Sequence, residues 1–273
     1  MLNNGESYPK ANELAFNKIG GNKLLIDFTK PNNILGYQYV KSIYDIDSKI
    51  VPITIKRIKN DFHDSEIKDS IASATSIRNQ LFHENEENII QAVPYKSKEI
   101  LDNYRLNYGA WHYWQNYFTI LKYRVLTMSR SELKKIHGMK EGLENRIIEK
   151  ISKATNFNEF MELVKTKRYT KTSLQRIFAN ILTNTTSTEI KHLIAQEQPD
   201  GIRVLAMSPI GRQWLNQHKQ QIETTIFTSN KKPYPYQTMD ERIDNAYYSI
   251  LPIPVQQRLL KQSYQKPIFK TSQ

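Results

Sequence analysis

Cysteine is absent from this 273-residue sequence, which excludes disulfides and thiolate chemistry and makes a reducing cytoplasm the expected home. No segment approaches the run of about 20 apolar residues needed to cross a bilayer. The opening residues, Met1 to Glu6, are polar and lack the apolar core of a signal peptide. Acid is scarce relative to base. The 27 Asp and Glu face 39 Lys and Arg, and the resulting charge of +12 favours a polyanionic partner such as RNA. Hydrophobic residues at 39% and aromatics at 11% are too many for a disordered chain. The length suits one large domain or two smaller ones, each able to bury a core.

The most informative stretch is Ile71-Ala72-Ser73-Ala74-Thr75-Ser76-Ile77-Arg78. Hydroxyls at Ser73, Thr75 and Ser76 precede Ile77 and Leu81 at helical spacing, and Arg78 lies one turn in. A helix starting here offers unpaired first-turn amides, short hydroxyls and a guanidinium around one point, which is an anion site. An ordinary cap followed by an exposed arginine is the plainer reading. Upstream, Val51-Pro52-Ile53-Thr54-Ile55-Lys56-Arg57-Ile58 alternates β-branched residues and is expected to be a strand. The polar loop Lys59 to Asp64 follows it. Strand, basic end, loop and hydroxyl-rich helix start is the layout of a phosphate pocket at the carboxyl edge of an α/β sheet. Lys23 to Phe28 is a second strand candidate. Ala11 to Ile19 reads as a short helix stopped by Gly20-Gly21. Asn32 or Asn33 is expected to cap a helix whose Leu35, Tyr39, Val40 and Ile43 form one stripe. His63 beside Asp64 is read as structural.

After the acidic loop Glu84 to Asn88 the pattern turns helical, with Pro94 to Lys98 read as a link. Aromatics crowd Tyr104 to Tyr123. They could stack on bases, but Trp111, Trp114 and Phe118 fit one helical face, so core or a domain seam is expected. Capping boxes at Ser129–Glu132 and Asn156–Glu159 start helices, and Leu143, Ile147, Ile148 and Ile151 line another. Thr172 is expected to open a helix with the stripe Leu174, Ile177, Phe178, Ile181 and Leu182. Lys165, Lys167, Arg168, Lys171 and Arg176 cluster at a helix junction with no acid between Lys165 and Arg176. Such a cluster faces a phosphate backbone or is a solvated basic turn. Ile202 to Met207 reads as a buried strand or helix segment. Ser208-Pro209 starts a helix with Trp214 and Leu215 on its apolar side. A loop at Lys231 to Tyr236 precedes a helix around Asp240 to Tyr248, and the tail from Gln262 is expected to fray.

Four phrases together carry a family resemblance: Ser73-x-Thr75-x-Ile77-Arg78, Pro31-Asn32-Asn33-Ile34-Leu35-Gly36, Lys165-Thr166-Lys167-Arg168-Tyr169-Thr170, and Leu174-Gln175-Arg176 followed by Ile181-Leu182. The first resembles the phosphate-holding second signature of the HIGH-type nucleotidyltransferases. The set is similar to the bacterial tRNA(Met) cytidine acetate ligase family. The resemblance implies an α/β remnant of a Rossmann-like nucleotidyltransferase domain over residues 1–90, then an α-helical, basic, RNA-binding domain over 91–273. It implies a ligase using ATP, with Mg2+, and acetate to form acetyl-adenylate. The acetyl group then passes to the wobble cytidine of elongator tRNA(Met). Asn32, Arg57, Ser73, Thr75, Ser76 and Arg78 would hold the nucleotide, and the basic cluster would hold the tRNA. Family members open with a His-x-Gly-His type motif, and none of the histidines here, His63, His83, His112, His137, His192 or His218, stands in one. The expectation is therefore that the chain begins partway through the nucleotide-binding domain, with a separate polypeptide as a possible supplier of the motif. The alternatives are a catalytically inactive tRNA-binding remnant, and a nucleotidyltransferase that does not act on RNA.

Overall fold

The computed structural model describes residues 8–21, 27–28, 30–55, 67, 72–82, 89–140, 142–166, 169–196, 201–228, 237–262 and 264–270. Up to Phe82 these form three helices: α1 (Tyr8–Lys18), α2 (Pro31–Asp45) and α3 (Ala74–Phe82). Gly20, at a φ of +87°, follows the end of α1 in the left-handed region that glycine adopts without cost. Phe28 is buried between the rings of Phe16 and Tyr37, at centroid distances of 4.3 and 5.3 Å, and this ties α1 to α2. The cap of α2 is Lys30, not an asparagine. Pro31 suits the first helical position, and Asn33 instead donates to the carbonyl of Asp27 at 2.9 Å. The expected stripe of α2 is not buried, since Leu35 and Tyr39 are exposed.

The expected strand at 51–58 is corrected over its described part. Residues 51–55 pair with no described strand, and Ile53 and Ile55 are 85% and 94% exposed. Alternation shows that a segment suits a sheet, but a strand exists only where a neighbour supplies the ladder. Lys23 to Ile26, Lys56 to Asp64 and the acidic loop 84–88 lie outside the described residues.

From Tyr95 the chain is helical through α4 (Tyr95–Tyr108), α5 (Trp114–Thr127), α6 (Arg130–Lys135), α7 (Leu143–Lys153), α8 (Phe157–Val164), α9 (Lys171–Thr183) and α10 (Ser187–Ala195). Pro94, read as a link, stands at the cap position of α4. Of the five helices from α6 to α10, four begin at a capping side chain, while α7 follows Gly142 with no side-chain cap. Ser129 and Thr186 form reciprocal capping boxes with Glu132 and Glu189. Asn156 accepts from the amide of Glu159, whose carboxylate reaches back one residue further to the amide of Thr155. Thr170, two residues before the expected start, caps α9 by accepting from Ser173, because Lys171 and Thr172 already take helical geometry. Each such cap stabilises a helix end by about 1 kcal/mol.

The core lies between α5, α7, α8 and α9. Phe118, Leu121, Ile147, Ile151, Phe160, Val164, Leu174, Phe178 and Ile181 are fully or almost fully buried there. Trp114 stacks on Phe157 at 5.0 Å and meets Phe178 edge-on. Trp111 does not share that face. Gly109, at a φ of +76°, ends α4, so Trp111 precedes α5 and stacks on Tyr104 at 5.3 Å.

Past α10 come β1 (Ile202–Arg203), β2 (Ala206–Met207), α11 (Pro209–His218), β3 (Ile226–Phe227), α12 (Gln237–Tyr248), α13 (Ile253–Gln262) and β4 (Ile268–Phe269). The strands form two parallel pairs, β1 with β3 and β2 with β4. Two expectations fail here. Ile202 and Leu205 are exposed rather than buried, and the tail returns to pair with Ala206 and Met207. Arg242 of α12 clamps the bundle by donating to the carbonyl of Thr183 at 3.0 Å and to Glu189 at 2.6 Å. Among the described residues no helix is long and apolar enough to cross a membrane.

Candidate nucleotide and nucleic-acid sites

The hydroxyl-rich start of α3 folds as a tight reciprocal cap. The Ser76 amide donates to Ser73 Oγ at 3.0 Å, and Ser76 Oγ donates to the Ser73 carbonyl at 2.8 Å. The two hydroxyls lie 3.2 Å apart, and both residues are buried. These serines shape the turn. Helical geometry gives the amides of Ala74 and Thr75 no internal acceptor, so they stand as outward donors at the positive end of the dipole. Thr75 is half-buried and Arg78 exposed. An anion reaching this point would meet amides, the Thr75 hydroxyl and the Arg78 guanidinium.

The other end of α3 is anchored on the helical bundle. Leu81 is buried, and the Phe82 ring stacks on Tyr113 at 4.8 Å, just before α5. Asn32 is exposed in the first turn of α2. Arg57, His63 and Asp64 lie outside the described residues. No described group of three or more His, Asp or Glu could hold a metal ion. A magnesium ion brought on nucleotide phosphates would not need such a cage.

The basic junction is held by a contact that the sequence pattern did not suggest. Arg146 of α7 donates to the carbonyls of Val164 and Leu163 at 2.9 and 2.7 Å, satisfying the end of α8. Thr166 and Tyr169 then close a turn through backbone bonds of 3.4 and 3.2 Å, with Tyr169 buried. Lys167 and Arg168 lie outside the described residues. Lys165 pairs with Glu162 at 2.7 Å, so part of its charge is already offset. Lys171 and Arg176 are exposed on α9 but about 140° apart around its axis, so they do not share one face. Arg146 lies in the first turn of α7 and its carbonyl partners stand 17 and 18 residues further on, so no local signal marked the contact.

The aromatic segment joins core to seam. His112 stacks on Tyr247 of α12 at 3.9 Å. Tyr117 donates to the Tyr247 carbonyl at 2.9 Å and is bonded to His112 Nδ1. The Tyr117 proton is committed to that carbonyl, so His112 donates from Nδ1. Burial lowers the His112 pKa and pushes that of Tyr104 up to about 12. An apolar cavity of about 320 Å³ opens between this segment, α9 and α12, lined by Trp114, Tyr117, Leu182, Ile243 and Tyr247 among others. The Tyr117 hydroxyl is already spent and Thr183 Oγ1 donates to the Ala179 carbonyl, which leaves His112 Nε2, buried without a hydrogen-bond partner, as a basic nitrogen among the lining residues.

Comparison with known proteins adds the following. A family model described as HIGH Nucleotidyl Transferase matches residues 1–263. The tRNA(Met) cytidine acetate ligase of Oceanobacillus iheyensis is 43% identical over 270 residues, covering 98% of this chain and 67% of its own length. That of Bacillus mycoides is 44% identical over 267 residues, covering 96% and 68%. The chain thus spans about two thirds of the length of these relatives. Among solved structures, apo TmcAL from Thermotoga maritima superposes with a TM-score of 0.78 at 25% identity, over 99% of this chain and 69% of its own. The same protein bound to alpha-thio ATP gives a TM-score of 0.72 at 23% identity, over 99% and 68%, and bears on the fold alone.

Proposed function

The chain belongs to the HIGH nucleotidyl transferase family and, within it, to the tRNA(Met) cytidine acetate ligases, and we propose that it performs the reaction for which they are named. ATP and acetate form acetyl-adenylate with loss of pyrophosphate. The cytidine amine of tRNA(Met) then takes the acetyl group, AMP leaves, and acetylcytidine is formed. The observation that carries this reading is the capped start of α3, an anion-binding helix end in a chain 43% identical to these ligases over nearly its whole length.

Adenylation needs a carboxylate aimed in line at a phosphorus and stabilisation of the departing charge. The first-turn amides of α3, Thr75 and Arg78 meet the phosphates, while Ser73 and Ser76 hold the turn that aims them. Asn32 and Arg57 hold the rest of the nucleotide. Magnesium, carried on the phosphates, offsets their charge. Residues 1–90 handle the nucleotide, and residues 91–273 bind tRNA through Lys165, Lys167, Arg168, Lys171 and Arg176. The separation of Lys171 from Arg176 around α9 suits two different phosphates rather than one.

Acetate-dependent ATP–pyrophosphate exchange, with mass spectrometry of tRNA nucleosides, tests the proposal. Little exchange is expected from these residues alone, none of whose histidines stands in a His-x-Gly-His type motif. Exchange and acetylcytidine are expected once a polypeptide carrying that motif is supplied, and Arg78→Ala should then lower the exchange rate at least tenfold. Exchange insensitive to Arg78→Ala would remove α3 from the nucleotide site. tRNA binding without any exchange even then would instead identify an inactive RNA-binding protein.

A further inference from the structure

Arg146 stands where its own helix places a cation badly. It lies in the first turn of α7, and the positive end of the dipole there disfavours a charge of the same sign. The end of α8 compensates. Arg146 Nε donates to the Val164 carbonyl at 2.9 Å, and Nη2 donates to the Leu163 carbonyl at 2.7 Å. One edge of the guanidinium plane is thus bonded to the negative end of a neighbouring helix. These acceptors are neutral, so the unit charge of the side chain is left in place.

The rest of the fork is open. A guanidinium carries its donors in a rigid plane, and the two carbonyls use only the edge made by Nε and one Nη2 proton. Nη1 forms no bond with a described residue and is not buried. Nη1 and the second Nη2 proton remain as a parallel pair, the arrangement that bonds two oxygens of one phosphate. The clamped edge fixes the plane, so little rotamer freedom is left to lose when that pair is used.

No described acid offsets this charge. On α7, Glu144 is buried with Lys134 3.7 Å from its Oε1, and Glu149 pairs with Lys150 and Lys153 at 2.8 and 2.9 Å. On α8, Glu159 accepts from the Thr155 hydroxyl, and Glu162 pairs with Lys165 at 2.7 Å. Glu141 lies outside the described residues. Val164 directly precedes Lys165, so the guanidinium sits at the root of the basic turn. There Lys165 shares its charge with a carboxylate, whereas Arg146 bonds only neutral carbonyls.

We infer that Arg146 is itself a phosphate-binding residue for RNA, a preset fork that bonds one backbone phosphate through Nη1 and Nη2. This deepens the proposed function, since it rests on the chain binding tRNA, and it adds to the cations of the turn a contact from a different helix. Such a contact positions the RNA without reading its bases.

The test is filter binding of elongator tRNA(Met) to the full chain across a salt series, with a thermal melt of each variant. Arg146→Gln removes the charge while its amide can still donate to an α8 carbonyl, and Arg146→Lys keeps the charge without the fork. Arg146→Gln should lower the slope of log affinity against log salt by about 0.7–0.9, a loss of about 5- to 8-fold at about 0.1 M salt. Arg146→Lys should keep the slope and lose less affinity. The decrement should persist when Lys167 and Arg168 are both alanine, because separate phosphates contribute independently. A decrement that vanishes in that background would mean that Arg146 acts only by holding the turn. An unchanged slope in a folded Arg146→Gln would leave it a helix clamp, and either result overturns the contact. Phenylglyoxal labelling of the wild type, read by peptide mass spectrometry, needs no variant to fold. Arg146 should be labelled in the free chain and protected by tRNA, and labelling that tRNA leaves unchanged would overturn the contact equally. If the wild-type chain binds no tRNA, the tRNA reading itself fails, which is a different result from a wild type that binds and a variant that matches its slope.

Discussion

Helices α2 and α9 carry similar apolar stripes and meet opposite fates. On α9, Leu174, Ile177, Phe178 and Ile181 are at most 2% exposed, enclosed by α5 and α8. On α2, Leu35 and Tyr39 remain 51% and 63% exposed. Periodicity records that a helix has an apolar side. It does not record whether a neighbour arrives to cover it. The same contrast separates the bundle, where four helices cover one another, from α1 and α2, which meet mainly through the rings around Phe28.

The largest effect that should sharpen this contrast is at Phe178. Its ring is fully buried against Phe157, Phe160 and Trp114. Phe178→Ala should cost about 3–5 kcal/mol by denaturant unfolding. A loss below about 1 kcal/mol would mean that the bundle is not the stable half. Next comes the buried cap of α3. Ser73→Ala removes the acceptor of the Ser76 amide and should cost about 0.5–2 kcal/mol. It should also raise the KM for ATP, whereas a cap without a functional role would change only the melting temperature.

The seam between bundle and α12 should respond to pH. His112 has a folded pKa below its unfolded value, so the unfolded chain binds more protons below about pH 6.5. Its neutral form therefore supports the fold above that pH, and the support is lost as pH falls through the window. The neighbouring Tyr104, Tyr117 and Tyr247 stay neutral there, their pKa values all being raised. His112→Phe keeps a ring against Tyr247 and should lose less melting temperature than wild type between pH 7 and pH 5. Equal losses would place the acid sensitivity elsewhere. The smallest effect is expected at Leu35. Leu35→Ala should change stability by no more than about 0.5 kcal/mol, and a cost like that of Phe178→Ala would erase the contrast between the stripes.

Local signals were legible where the chain makes its own partner. Ser129, Asn156 and Ser208 cap the helices they were expected to start, since a cap needs only residues within a turn of each other. The same holds for Ser73, whose buried bonds with Ser76 make the cap that opens α3. Trp214 was read as apolar-side and is exposed, because a helical face is buried only by what packs on it. The Thr186 box that opens α10 is a Thr-x-x-Glu signal of the same local kind.

By itself, then, the sequence determined the capped starts of α6, α8, α9, α10 and α11, the apolar faces of α7, α8 and α9, and the family phrases at Ser73–Arg78 and Lys165–Thr170. These depend on neighbours within about one helical turn, or on residue identity alone. Only the tertiary structure decided which stripes are covered, that Arg146 closes α8 beside the basic turn, and that the tail pairs with Ala206 and Met207. It likewise decided that Phe82 docks α3 on Tyr113. Each joins residues from 17 to 62 positions apart, across separations that local pattern does not encode. The contacts form only when the loops between them close, at an entropy cost that the packed partners offset together.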